Sequence, residues 1–244
     1  MAAATPRLRL YTNHGCPSTP FTSLTTVGRW EGAHRAHIAL SELELPFEEE
    51  IIDLAVPRTA GYLEVNPRGL VPSLSVDDQI ITESAVVAAF LADAFPSHLV
   101  PTSSEPNGPL TRARIAFFVD TYMSKVNGSL YPLIKATTDE ERSAITQKTV
   151  DAVVKELEPL LANADPFFNG SDKLTLAEVL TGPFVIRLWT WPKYGLVPQS
   201  IIDQLSAKAP NFVRWAEAVA KHSSVNGIFD GEATALRTKQ RLGK

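Results

Sequence analysis

Polar and apolar positions alternate through Arg7-Leu8-Arg9-Leu10-Tyr11, and Asn13 and Gly15 close the run, which is the pattern of a half-buried strand. From Ala33 the period changes. Ala36, Ala39, Leu40 and Leu43 recur at helical spacing until Pro46, after which residues 47–52 read as a second strand of mixed polarity. A loop carrying Pro57, Arg58, Asn66, Pro67 and Gly69 leads into the apolar stretch 70–76. Asp77-Asp78 then turns the chain back through Gln79-Ile80-Ile81, and Glu83-Ser84 opens a helix ending at Phe95.

The Pro-, Ser- and Gly-rich stretch 101–109 is a composition break and marks a domain boundary. Beyond it the pattern is helix after helix. Ile115, Phe118, Val119, Tyr122, Val126, Leu130 and Leu133 form one stripe, and Val150, Val154, Leu157 and Leu161 form another. Strand-helix-strand, then strand-strand-helix, then a helical bundle predicts an α/β thioredoxin-like N-terminal domain followed by an all-α C-terminal domain. The expected limits are 1–97 for the first, 98–109 for a linker and 110–244 for the second.

Composition narrows the function classes. With 244 residues, 44% hydrophobic and 20% charged, the chain has room for two globular cores. A net charge of -4 gives no electrostatic reason to expect nucleic acid or an anionic membrane as partner. Apolar runs such as 85–92 are far shorter than the roughly 20 residues that span a bilayer. The first nine residues lack the apolar core of a secretory signal. The single cysteine, Cys16, excludes an internal disulfide and suits a reducing compartment, so a soluble cytoplasmic protein is expected.

Two short segments carry candidate chemistry. Val71-Pro72 stands at a strand start, where a cis-proline is expected to leave the Val71 N–H and C=O free to pair with an extended peptide. Glu83-Ser84 begins a helix, whose unpaired N–H groups attract a carboxylate while Glu83 can pair with an ammonium. A simple helix cap is the structural alternative. Thr175-Leu176-Ala177-Glu178 reads as a capping box, with Leu174 and Val179 as its hydrophobic staple. His14 and His34 are too scattered for a metal site and are expected at the surface. Phe117, Tyr122, Lys125, Trp189 and Trp191 are candidates to line a substrate cleft, with core packing expected for most of them.

Taken together, Leu10-Tyr11 leading to Cys16-Pro17, Ala33-His34-Arg35, Asn66-Pro67-Arg68-Gly69-Leu70-Val71-Pro72 and Glu83-Ser84-Ala85 resemble the cytosolic glutathione transferase superfamily. The likeness is greatest to its omega-like, cysteine-type members. It implies the glutathione transferase fold, glutathione as co-substrate without a metal, a homodimer, and a second, electrophilic or disulfide substrate. It also implies that Val71 and Pro72 bind the cysteinyl part of glutathione, that Glu83 and Ser84 bind its γ-glutamyl group, and that Arg58 meets its glycyl carboxylate.

In such proteins the cysteine stands at the amino end of the first helix, where the dipole stabilises the thiolate. This chain departs from that pattern, because residues 18–32 separate Pro17 from Ala33 where one aromatic residue is expected. Three functions stay open: thiol transfer through a mixed disulfide at Cys16, glutathione conjugation with a hydroxyl (Tyr11 or Ser18) or a backbone N–H activating the thiol, and non-catalytic glutathione binding.

Overall fold

The computed structural model describes residues 6–13, 30–54 and 56–243, except for the side chains of Trp30 and Glu31. Cys16 and Ser18 lie outside the described residues. The chain forms two compact units, Met1–Phe95 and Pro96–Lys244. The first is an α/β unit and the second is helical.

In the first unit, β1 (Leu8–Thr12) lies parallel to β2 (Glu48–Ile51) and antiparallel to β3 (Ser73–Val76), which pairs with β4 (Gln79–Thr82). The strand order is β2-β1-β3-β4. Alternation along β1 sends Leu8 and Leu10 to one face and Arg9 and Tyr11 to the other. Leu8, Leu10 and Leu74 are buried, as are Ile38 and Leu40 of α1 (Trp30–Glu42) and Val87 and Leu91 of α3 (Ser84–Ala94). Helices α1 and α3 pack on each other. Tyr11 belongs to a separate cluster with Ile52, Leu54, Tyr62 and Val71. The edge strand β2 is exposed along its length, and its glutamates, with Glu48 bound to Arg9 at 2.6 Å, keep it from pairing with another sheet.

Two sequence expectations need correction here. Helix α1 begins at Trp30 rather than Ala33, so residues 30–32 are its first turn. Gly32 hid this, since glycine costs a helix about 1 kcal/mol relative to alanine and breaks the apolar pattern. The segment 53–69 is not all loop, because α2 (Ala60–Val65) interrupts it, capped by the Thr59 hydroxyl, which accepts from the Tyr62 N–H at 3.2 Å. Six residues are too few to show a helical period. At its far end α1 stops before Pro46 is reached: Glu44 takes φ 51°, Leu45 N–H donates to Leu40 C=O and Glu44 N–H to Ser41 C=O, the paired bonds of a Schellman cap.

In the second unit, α4 (Gly108–Thr121) continues through a π-helical turn, Tyr122–Val126, towards α5 (Leu130–Lys135). There follow α6 (Asp139–Ala152), α7 (Leu176–Thr190), α8 (Ser200–Lys208), α9 (Pro210–Lys221), α10 (Ser223–Asn226) and α11 (Gly231–Leu242). Val153, not Val154, lies with Val150, Leu157 and Leu161 on the buried side. Helix α7 is buried from Ala177 to Leu188 and packs against α9 and α4. No helix among the described residues is long and apolar enough to cross a membrane.

The Thr175–Glu178 capping box forms as expected, with Leu174 and Val179 fully buried beside it. Glu178 does more than cap. Its carboxylate is completely buried and accepts from Thr175 N–H at 2.8 Å, Thr175 hydroxyl at 2.7 Å, Phe168 N–H at 2.9 Å and Trp215 Nε1–H at 2.7 Å. Burial pushes its pKa above the ordinary carboxylate value, against the pull of these four donors. One side chain thus ties α7 to α9 and to the loop before it. Glu178→Ala strands three buried N–H groups, each costing about 1–3 kcal/mol when unpaired. Urea denaturation is expected to show a loss of about 4 kcal/mol, more than a surface cap would give.

Candidate functional site

Strand register decides which residues meet. Ser73, the first residue of β3, stands opposite both Tyr11 near the end of β1 and Thr82 at the end of β4. Val71-Pro72, just before β3, and Glu83-Ser84, just after β4, are therefore neighbours at one end of the sheet, the end at which the chain leaves β1 through Thr12 and Asn13. The amino end of α1 is there too. A Cβ added to Gly32 would lie 3.2 Å from Ser84 Oγ, 3.4 Å from Ser84 Cβ and 3.6 Å from Pro72 Cδ, so that helix turn approaches closely because residue 32 has no side chain.

The Val71–Pro72 peptide is cis, as the sequence predicts. A polar clamp built from residues with little obvious chemistry holds the loop leading into it. Asn66 is buried and uses its whole amide: Nδ2 donates to Leu70 C=O at 2.9 Å and to Ser73 Oγ at 3.1 Å, while Oδ1 accepts from Arg68 N–H at 3.1 Å. The Tyr62 hydroxyl donates to the same Leu70 C=O and lies 3.2 Å from Ser73 Oγ. Burial raises the Tyr62 phenol above its ordinary value, keeping it a donor rather than an acid. Gly69 takes φ +62°, a turn that suits glycine. With the loop so pinned, neither the N–H nor the C=O of Val71 is bonded to a described residue.

Glu83 takes φ 70° and ψ 118°, a region that costs a non-glycine residue about 1–3 kcal/mol. Although it occupies the cap position of α3, its side chain makes no capping bond and instead pairs with Arg68, drawn from the Asn66–Gly69 turn. Among the described residues no side chain is bonded to the first N–H groups of α3. The Ser84 hydroxyl accepts from the buried Arg35 guanidinium at 3.2 Å. The site therefore presents backbone peptide groups at Val71, an open helix start at Ser84 and a carboxylate at Glu83. That set can take an extended peptide ending in an amino acid head.

Other candidates fall elsewhere. Arg58 does not present an open fork: Nε bonds Gly69 C=O at 3.1 Å, Nη1 bonds Asp53 C=O at 2.7 Å and Val56 C=O at 2.6 Å, and Nη2 bonds Leu54 C=O at 3.4 Å. It fastens Asp53, Leu54 and Val56 to the turn at Gly69. Tyr11 is 8% exposed and rests its ring on Tyr62, 5.7 Å between centroids, as a core residue does. His34, expected at the surface, is buried, because α1 packs that face inward. Tyr122 and Trp191 are core, whereas Phe117 is 61% exposed. Among the described residues no group of three or more His, Cys, Asp or Glu is placed to hold a metal ion.

Tyr62, Asn66 and Arg35 are the residues that sequence reasoning passed over. Asn66 and Arg35 stood inside recognised motifs, but their roles depend on bonds across the fold. Asn66→Ala is expected to lower stability by about 1–3 kcal/mol in urea denaturation. The near-isosteric Asn66→Asp should cost more, since it sets a carboxylate oxygen against the Leu70 carbonyl.

The chain is similar to known glutathione S-transferases. Residues 33–94 match the family model described as the glutathione S-transferase N-terminal domain. Glutathione S-transferase GST-4.5 of Xanthomonas campestris pv. campestris is 29% identical over 142 residues, covering 57% of this chain and 66% of that protein. Glutathione S-transferase GstB of Escherichia coli K12 is 27% identical over 209 residues, covering 78% and 89%. Among solved structures, glutathione transferase Omega 1C from Trametes versicolor superposes with a TM-score of 0.76 at 24% identity, covering 98% of each chain. Rice GST1 in complex with glutathione superposes with a TM-score of 0.77 at 22% identity, covering 99% of this chain and 98% of that one.

Proposed function

We propose that this chain, which belongs to the glutathione S-transferase superfamily, is a glutathione transferase of omega-like type that exchanges thiols through a mixed disulfide at Cys16. The observation that carries the reading is the adjacency of Val71 and Glu83-Ser84, fixed by the Ser73–Thr82 pairing. Glutathione lies extended along it. Its cysteinyl N–H and C=O pair with the Val71 backbone, its γ-glutamyl carboxylate rests on the start of α3, and its ammonium meets Glu83. Arg58, by its four carbonyl bonds, positions this loop.

In the reaction the Cys16 thiolate attacks the glutathionyl sulfur of a mixed disulfide. A Cys16–glutathione disulfide forms as the substrate thiolate leaves. A second glutathione thiolate then attacks the glutathionyl sulfur on Cys16, giving oxidised glutathione and restoring the Cys16 thiolate. The cytoplasm, which keeps glutathione reduced, is the compartment that suits this cycle.

Incubation with oxidised glutathione followed by intact-mass measurement tests this. One glutathionyl group on Cys16, absent from Cys16→Ser, is the expected result. Turnover of a chlorinated aromatic without an adduct would indicate conjugation by a hydroxyl or backbone N–H, and binding with neither would indicate a non-catalytic protein. Because residues 18–29 stand between Pro17 and α1, the alkylation rate of Cys16 is expected to rise around pH ~8.5, the value for a free thiol. A midpoint well below that would place the thiolate under the influence of a helix start.

The family resemblance also implies a homodimer. Leu110, Ala113 and Phe117 form an exposed apolar stripe on α4, and Val56, Ile80 and Val86 are exposed apolar residues of the first unit. A closed two-fold pair is the commonest way to cover such surfaces. Light scattering is expected to give twice the chain mass of 26.6 kDa, and Phe117→Glu to shift the protein towards a single chain.

A further inference from the structure

Arg68 and Glu83 are fifteen positions apart in sequence, yet their side chains form an ion pair at the open start of α3. The backbone that carries each of them is held in place. Arg68 lies between Pro67 and Gly69, with its N–H held by Asn66 Oδ1 at 3.1 Å, and Glu83 stands at φ 70° without capping its helix. Arg68 is 64% exposed and Glu83 53%, so the pair is solvated and opens at little cost.

We propose that Arg68 is a second charged contact for the amino acid head of the substrate, and that the Arg68–Glu83 pair selects a zwitterion rather than an ammonium alone. This rests on the assignment of the γ-glutamyl group to Glu83 and Ser84. The head carries an ammonium and a carboxylate on one carbon. Inserted into the pair, it places its ammonium on Glu83 and its carboxylate between the guanidinium and the Ser84 N–H. Every charge that was matched before binding is matched after it. A ligand lacking either charge forgoes one of the two charged contacts and so gains less on binding.

Calorimetric titration of the full-length protein with three probes tests this: glutathione, its analogue lacking the α-amino group, and its analogue with the α-carboxylate converted to an amide. The unmodified protein should bind each analogue about ten-fold more weakly than glutathione, as follows from removing one charged hydrogen bond. Arg68→Gln should weaken glutathione by about the same factor, show no further loss with the amide, and keep the penalty for the missing amine. Glu83→Gln should show the reverse. Because both side chains are more than half exposed, neither variant should lose its fold, and thermal melting checks this. If Arg68→Gln binds glutathione as well as the unmodified protein, or more tightly, Arg68 only neutralises or covers Glu83 and the proposal is overturned. If Glu83→Gln also leaves all three affinities unchanged, the γ-glutamyl assignment itself falls.

Discussion

A hairpin of two four-residue strands determines where the chemistry of the first unit can be. Because Ser73 pairs with Thr82, whatever precedes β3 must lie beside whatever follows β4, and the antiparallel pairing of β3 with β1 anchors that hairpin to the centre of the sheet. A shift of one residue would turn Leu74 out of the core and Ser73 into it. Leu74 is fully buried, so the register is held by the same apolar contacts that hold the unit together. The alignment of Val71 with Glu83 and Ser84 thus follows from core packing rather than from any attraction between those residues.

Register alone would leave the loop before β3 free to move. Its order comes from polar groups with nearly complete hydrogen bonding: the buried Asn66 amide and Tyr62 hydroxyl and the half-buried Arg58 guanidinium donate to backbone carbonyls or to Ser73. Such groups are costly when unmatched, so a satisfied set favours one loop conformation over its neighbours. The effect is to commit side-chain hydrogen bonds to the outer loop while leaving the Val71 peptide groups without a described partner. The second unit uses the same principle for a different end, since Glu178 gathers four donors to join α7 to α9.

Much of this could be read from the sequence where local chemistry was decisive. The cis Val71–Pro72 bond, the Asp77-Asp78 turn, the helix opening at Ser84 and the Thr175–Glu178 box each declare themselves within a few residues. The misses share a cause. Helix α2 was too short for a period, and Gly32 resembled a break because its role is a close approach to Ser84 and Pro72, which no local pattern reveals. Arg58 carried the right charge for an anion, but its described partners are backbone carbonyls, one of them at the distant Gly69 turn.

Glu83 shows how a local rule is set aside at a site. At the cap position of α3 a short polar side chain would normally fold back onto the helix N–H groups, stabilising it by about 1 kcal/mol. A glutamate there, held at positive φ, forgoes that bond and accepts backbone strain. The helix start remains open and the carboxylate points away from it, to Arg68. Local choices usually agree with the fold around them, and a residue that gives up both a cap and a relaxed backbone marks a place where selection acted on something other than stability. The buried Arg35, bonded to the Ser84 hydroxyl, strengthens that conclusion, because it brings positive charge to the same helix start from beneath. An anionic group arriving at Ser84 would meet the helix dipole, Arg35 and Arg68 together, with the Glu83 carboxylate beside them to take the opposite charge.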